Sequence, residues 1–79
     1  MEDLIRYIVS KLVRNPQVLK VEEEREGDRA TIRVQVDPDD MGRVIGRQGK
    51  IARSIRAIAK AVGTKENILV SVDFDEIRE

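Results

Sequence analysis

The sequence contains neither cysteine nor histidine among its 79 residues. The first absence removes disulfides, thiolate–metal sites and thiol chemistry. The second removes the commonest acid–base catalyst and the commonest metal ligand. No catalytic activity, metal or cofactor is expected from such a chain. Aromatics are nearly as scarce: there is no tryptophan, and Tyr7 and Phe74, the single residues of their kinds, both read as core. Recognition of nucleic acid by stacked rings, as on RRM and OB-type platforms, is therefore set aside. No apolar run approaches the ~20 residues that cross a bilayer. The chain opens on Met1-Glu2-Asp3, with no signal-peptide apolar region or small-residue cleavage site behind it. A cytoplasmic protein is expected, forming one domain over residues 1–79.

What is present is an uneven distribution of charge. Lysine plus arginine and aspartate plus glutamate each number 15, so the formal net charge is zero. The stretch Met41–Lys65, MGRVIGRQGKIARSIRAIAKAVGTK, nonetheless holds Arg43, Arg47, Lys50, Arg53, Arg56, Lys60 and Lys65 and no acid at all. Every one of the 15 acids lies outside it. A basic stretch of this kind is an electrostatic footprint for a polyanion.

Around that stretch, apolar spacing predicts the order α-β-β-α-α-β. Leu4, Ile5, Ile8, Val9, Leu12 and Val13 recur at helical spacing over residues 2–14, ended by Asn15-Pro16. Val18–Arg25 reads as a strand, and Glu26-Gly27-Asp28 as a turn. Poor alternation before it suggests a tip longer than two residues. Arg29–Asp37 then alternates cleanly, with Ala30, Ile32, Val34 and Val36 on one side. Asp37 suits an N-cap and Pro38 a first helical position, opening a short helix with Met41, Val44 and Ile45 on its apolar face. Ile51, Ile55, Ile58 and Val62 predict the core stripe of a longer helix, with Ala52 and Ala59 beside it and Gly63 as its C-terminal cap. Asn67–Asp75 reads as the last strand and Glu76–Glu79 as a polar tail. One mixed, three-stranded sheet covered on a single face by three helices follows, an α+β fold with its second and third strands parallel.

Gly46-Arg47-Gln48-Gly49 lies between the second and third predicted helices. Two glycines at that spacing let the backbone turn sharply and approach a ligand closely. The following helix starts there, so free N–H groups and a positive dipole end face whatever docks. Arg47 and Lys50 add mobile positive charge, and a polynucleotide backbone supplies phosphates at regular spacing. A nucleoside-triphosphatase loop fails on spacing, because Gly49-Lys50 is followed by Ile51 rather than serine or threonine.

The run Val44-Ile45-Gly46-Arg47-Gln48-Gly49-Lys50-Ile51-Ala52-Arg53-Ser54-Ile55-Arg56 resembles the heart of a KH domain, and the element order resembles the type II, bacterial arrangement of that fold. In length the chain is similar to the small single-KH RNA-binding proteins of bacteria (KhpA-like). The resemblance implies binding of single-stranded RNA without catalysis, by a loop that clamps about four nucleotides, in an RNA chaperone or post-transcriptional regulator. It also implies pairing, as a homodimer or with a larger KH-containing partner (KhpB/Jag-like). Carried over to this chain, Gly46, Arg47, Gln48 and Gly49 form the loop, Lys50 follows it, and Ile45 lines the groove. Helical spacing adds Arg43 and Arg53. Ala52 departs from the larger aliphatic common at its position, which leaves the groove's depth open.

Blander readings compete for several residues. Gly42 is expected to serve close packing, Arg56 and Lys60 to be solvated helix surface or distant steering charge, and Glu22–Asp28 to be a solubilising hairpin edge. A different class of function, a protein-assembly module that uses the fold for dimer or partner contacts, remains the alternative.

Overall fold

The computed structural model describes residues 1–78; Glu79, the end of the expected tail, lies outside the described residues. The elements are α1 (Glu2–Ser10), β1 (Lys20–Glu26), β2 (Arg29–Val36), α2 (Met41–Ile45), α3 (Lys50–Lys65) and β3 (Leu69–Glu76). Three 3₁₀ turns, Pro16–Val18, Pro38–Asp40 and Arg47–Gly49, join them. The sheet order is β1-β2-β3, with β1 antiparallel and β3 parallel to β2. This is the type II KH arrangement, α-β-β-α-α-β, expected from the sequence.

The alternation of β2 sets the sheet's two faces. Ala30, Ile32, Val34 and Val36 are all buried, and Val21 and Val72 join them from the neighbouring strands. All three helices cover that face, with Ile5 and Val9 of α1, Val44 of α2 and Ile55 and Ala59 of α3 completing the core. Burying apolar side chains on one face contributes roughly 1.5–3 kcal/mol for each large one. The opposite face keeps the alternate residues in water. There Glu22, Glu24, Glu26, Asp73 and Asp75 outnumber Lys20, Arg29 and Arg33. The hairpin tip is a tight two-residue turn, Gly27-Asp28, not the longer one expected. Gly27 takes φ 60°, so Glu26 and Arg29 pair directly.

Four expectations are corrected by non-local packing. First, α1 ends at Ser10, not Arg14, because the buried Asp40 carboxylate accepts the backbone N–H groups of Arg14 (2.9 Å) and Asn15 (3.0 Å). Those bonds draw the chain out of the helix. Second, α3 buries its small residues. Ala52, Ile55, Ala59 and Gly63 face the sheet, whereas Ile58 is 42% exposed. Third, Gly63 is inside α3 rather than its cap; a Cβ there would lie 2.5 Å from Val70 Cγ2 and 2.7 Å from the Ile68 carbonyl oxygen. The left-handed residue that ends the helix is Asn67, with φ 60°. Fourth, Tyr7 is not core but 63% exposed, with the Lys11 ammonium 5.2 Å from its ring centre. At the far end, Glu76 belongs to β3, and the Ile77 N–H continues the pairing by donating to Val36 (2.8 Å).

Candidate nucleic-acid interface

The two free edges of the sheet are treated differently. On β1, Glu2 of α1 accepts the Glu23 N–H (3.0 Å) and Arg6 donates to the Val21 carbonyl (2.9 Å), so one ion pair covers the edge. Arg6 first, then the Glu23 amide, hold the Glu2 carboxyl below the usual carboxylate range. On β3, Leu69 and Ile77 donate to β2. The alternate residues Val70, Val72 and Phe74 therefore turn their backbone groups outward. One of these groups is covered: Arg56 Nε donates to the Val72 carbonyl at 3.1 Å. The rest of the edge stands beside α2 and α3, both of which pack on β3.

Between those helices, the backbone turns at Gly46–Gly49. Gly46 ends α2 with φ 74° and ψ 175°, and its N–H bonds the Gly42 carbonyl (2.9 Å). Gly49 donates back to the Gly46 carbonyl (3.1 Å), closing a turn with Arg47 and Gln48 at its tip. Gln48 and Gly49 both take left-handed conformations (φ 56° and 72°). Few side chains adopt that region without cost. The positive φ values of Gly46, Gln48 and Gly49 aim the Arg47 and Gln48 side chains into solvent, where both are exposed. A Cβ on Gly46 would meet Ile51 Cγ1 at 2.7 Å, so this glycine also lets α3 pack against the end of α2.

Of the residues expected at the site, Arg47, Gln48, Lys50 and Arg53 are exposed, the first two within this turn and Lys50 directly after it. Arg53 reaches back along α3 until its Nη1 would stand 3.7 Å from a Cβ on Gly49. Among the described residues, none of Arg47, Lys50 and Arg53 is paired with a carboxylate. Arg43 is different. It lies 3.9 Å from the buried Asp40 carboxylate and donates weakly to the Asp39 carbonyl (3.4 Å), which ties it to the foot of α2. Ile45 and Ile51 are half-buried, packed on the core with part of each side chain at the surface. Ala52 is buried under α3 and so does not line a groove. Gly42, expected to serve packing, is exposed, and a Cβ at this position would have no neighbour within 4 Å.

Asp40 and Arg56 are the residues whose importance the sequence alone does not show. Asp40 looks like a helix-dipole acid in the sequence, yet it is fully buried. Its carboxyl is held below the usual range, chiefly by the Arg14 amide against the cost of burial, with Asn15 and Arg43 assisting. It fixes the start of α2 to the chain after α1, and hence fixes the stem of the loop. A cavity of about 220 Å³ lined by Val18, Asp37, Pro38 and Ile77 involves none of the loop residues. Among the described residues, no helix is long and apolar enough to cross a membrane.

Comparison with known proteins bears on the family and the fold. Similar proteins named RNA-binding protein KhpA include those of Caldanaerobacter subterraneus, 41% identical over 74 residues (94% of this chain, 99% of the relative), and Listeria monocytogenes, 40% identical over 76 residues (96% and 100%). The Streptomyces coelicolor protein of that name is 33% identical over 78 residues, covering 99% of both chains. Among solved structures, Aquifex aeolicus Era superposes with a TM-score of 0.65 at 14% identity, a likeness of fold. It covers 99% of this chain, which spans 31% of Era. A family model described as KhpA/KhpB, KH domain, matches residues 2–74, and the chain belongs to that family.

Proposed function

We propose that this protein binds single-stranded RNA without acting on it chemically, through the Gly46–Gly49 turn. The observation that carries the reading is the turn itself: positive φ values at Gly46, Gln48 and Gly49 present Arg47 and Gln48 to solvent at the start of a basic helix. Phosphates would lie on the Arg47 and Gln48 N–H groups, since those of Gly46 and Gly49 bond within the turn, and on the Arg47, Lys50 and Arg53 side chains, with bases beside Ile45 and the open edge of β3. Arg43, held at Asp40, contributes long-range attraction more than contact. The acidic outer face of the sheet discourages a polyanion there and favours the helical side. The phosphate contacts of one short clamp by themselves give weak binding with little sequence preference, as suits an RNA chaperone or post-transcriptional regulator in the cytoplasm.

The same reading assigns pairing to a separate surface. Helix α1 packs on β1 and α3 on β3. The flank of α3 opposite Arg56 therefore turns towards α1, carrying Ile58 and the half-buried Val62. With exposed Leu4 and Tyr7 of α1, it offers an apolar seam to a second copy or to a larger KH-containing protein of the KhpB/Jag type. Those exposed side chains are what favours the second reading, an assembly module. Pairing would also raise affinity for RNA by placing two clamps on one strand.

The test is fluorescence anisotropy of a short labelled single-stranded RNA with the wild type and the Arg47→Asp, Gln48→Asp variant at two salt concentrations. Wild-type binding should weaken with salt, and the variant should lose binding while keeping its fold. Equal binding by both proteins would reject the clamp. Loss of pairing instead of RNA binding would favour assembly.

A further inference from the structure

We infer that Arg56 reads a nucleobase at the free edge of β3, preferring bases with two adjacent hydrogen-bond acceptors, guanine and cytosine, over adenine and uracil. The inference rests on the RNA-binding reading above and adds specificity to it. Arg56 belongs to the basic stripe of α3, where a solvated side chain is the ordinary expectation. Its surroundings differ from that expectation in three respects. Its Nε is committed to the outward-facing Val72 carbonyl at 3.1 Å. Its guanidinium carbon stands over the Phe74 ring, 5.3 Å from its centre, within cation–π range. Among the described residues no carboxylate pairs with it, so the two terminal amino groups remain for a ligand.

A guanidinium fixed in this way is a planar fork held in advance, whereas Arg47 and Arg53 have no hydrogen-bond partner holding their direction among the described residues. Preorganised donors discriminate because little ordering is needed when the ligand arrives. The terminal amino groups match two neighbouring acceptors: O6 and N7 of guanine, or O2 and N3 of cytosine. Uracil alternates acceptor, donor, acceptor along its pairing edge, and adenine sets its amino donor beside N1 and N7 and leaves N3 without a neighbouring acceptor, so neither satisfies the fork. Arg56 lies less than one turn beyond Arg53, the residue that reaches the Gly46–Gly49 turn. A strand held there by its phosphates has a base within range of the β3 edge.

The test uses the full-length protein and four short labelled oligouridine RNAs whose central nucleotide pair is U, A, C or G. The wild type should bind the strand bearing G or C about tenfold tighter than the U and A strands, the scale of one bidentate contact. Arg56→Lys, which keeps the charge and loses the fork, should erase that preference and leave affinity for the uridine strand within about twofold. Phe74→Leu, which removes the aromatic ring, should reduce the preference in the same direction; thermal melts check both variants for folding. A uniform loss across all four strands would assign Arg56 to phosphate attraction and overturn the inference. So would a preference that survives in Arg56→Lys. Binding by the wild type with no base preference rejects this inference alone, whereas no binding to any strand rejects it together with the RNA-binding reading.

Discussion

The two glycines of the turn should respond very differently to alanine. Gly46 occupies φ 74°, ψ 175°, a region open essentially to glycine alone, where another residue costs about 1–3 kcal/mol. The new methyl group would also lie 2.7 Å from Ile51 Cγ1 and 3.0 Å from Ile51 Cβ and Cδ1. Ile51 is anchored in α3 and packs on the core, so the clash cannot be relieved by swinging a loose side-chain end, and overpacking adds about 1–3 kcal/mol. A combined loss of about 2–6 kcal/mol is a large part of the about 4–12 kcal/mol expected for 79 residues. Gly49 sits at φ 72°, ψ 16°, and a Cβ there meets only Arg53 Nη1 at 3.7 Å, ordinary contact. Gly49→Ala should therefore cost only the left-handed penalty, about 1 kcal/mol. At roughly 4–8 °C per kcal/mol for a domain of this size, thermal melts should show a fall of at least about 8 °C for Gly46→Ala and about 4–8 °C for Gly49→Ala. Equal shifts, or a larger one for Gly49→Ala, would refute the assignment of the two glycines to different tasks.

Other consequences are open to the same kind of measurement. Gly63→Ala gains about 1 kcal/mol of helix propensity but drives a methyl group into Val70 and the Ile68 carbonyl; a net loss of about 1–2 kcal/mol should appear in urea unfolding. Asp40 and Glu2 both have carboxyl pKa values below the ordinary range in the folded chain. Their contribution is thus present above the unfolded-state pKa and lost as pH falls through the folded-state value. Wild-type stability should decline on acidification below the ordinary carboxylate range, and Asp40→Asn should start lower at neutral pH and fall less steeply. Parallel pH profiles for the two proteins would contradict the role given to Asp40. Ile58→Glu should reduce self-association in sedimentation equilibrium without lowering thermal stability of the monomer, since Ile58 is 42% exposed; unchanged association would place the pairing surface elsewhere.

The sequence and the structure part company where distant residues intervene. The alternation of β2 and the glycine turn between two helices are local signals, and both are found where their periodicity and spacing put them. Helix α3 illustrates the limit. Its isoleucines outrank its alanines in hydrophobicity, so the stripe Ile51, Ile55, Ile58, Val62 reads as core. Yet the helix comes so close to β3 that only Ala52, Ala59 and Gly63 fit beneath it alongside Ile55, and Ile58 is turned outward. Composition cannot reveal that separation. The end of α1 was hidden for a related reason, since the acceptor that unwinds it, Asp40, is 26 residues from Arg14. Four of the expected loop-side residues do lie in or beside the turn, whereas the tether on Arg43 and the fixing of Arg56 depend on partners brought together only by folding.

The most direct test of the central claim is an amide-resolved NMR titration of the labelled protein with short single-stranded RNA. The account predicts that the largest shifts fall on Gly46–Lys50 and Arg53, with smaller ones along Val70–Phe74 and almost none on Glu22, Glu24 and Glu26. Shifts confined to the outer face of the sheet, or to Leu4, Tyr7 and Ile58, would contradict it.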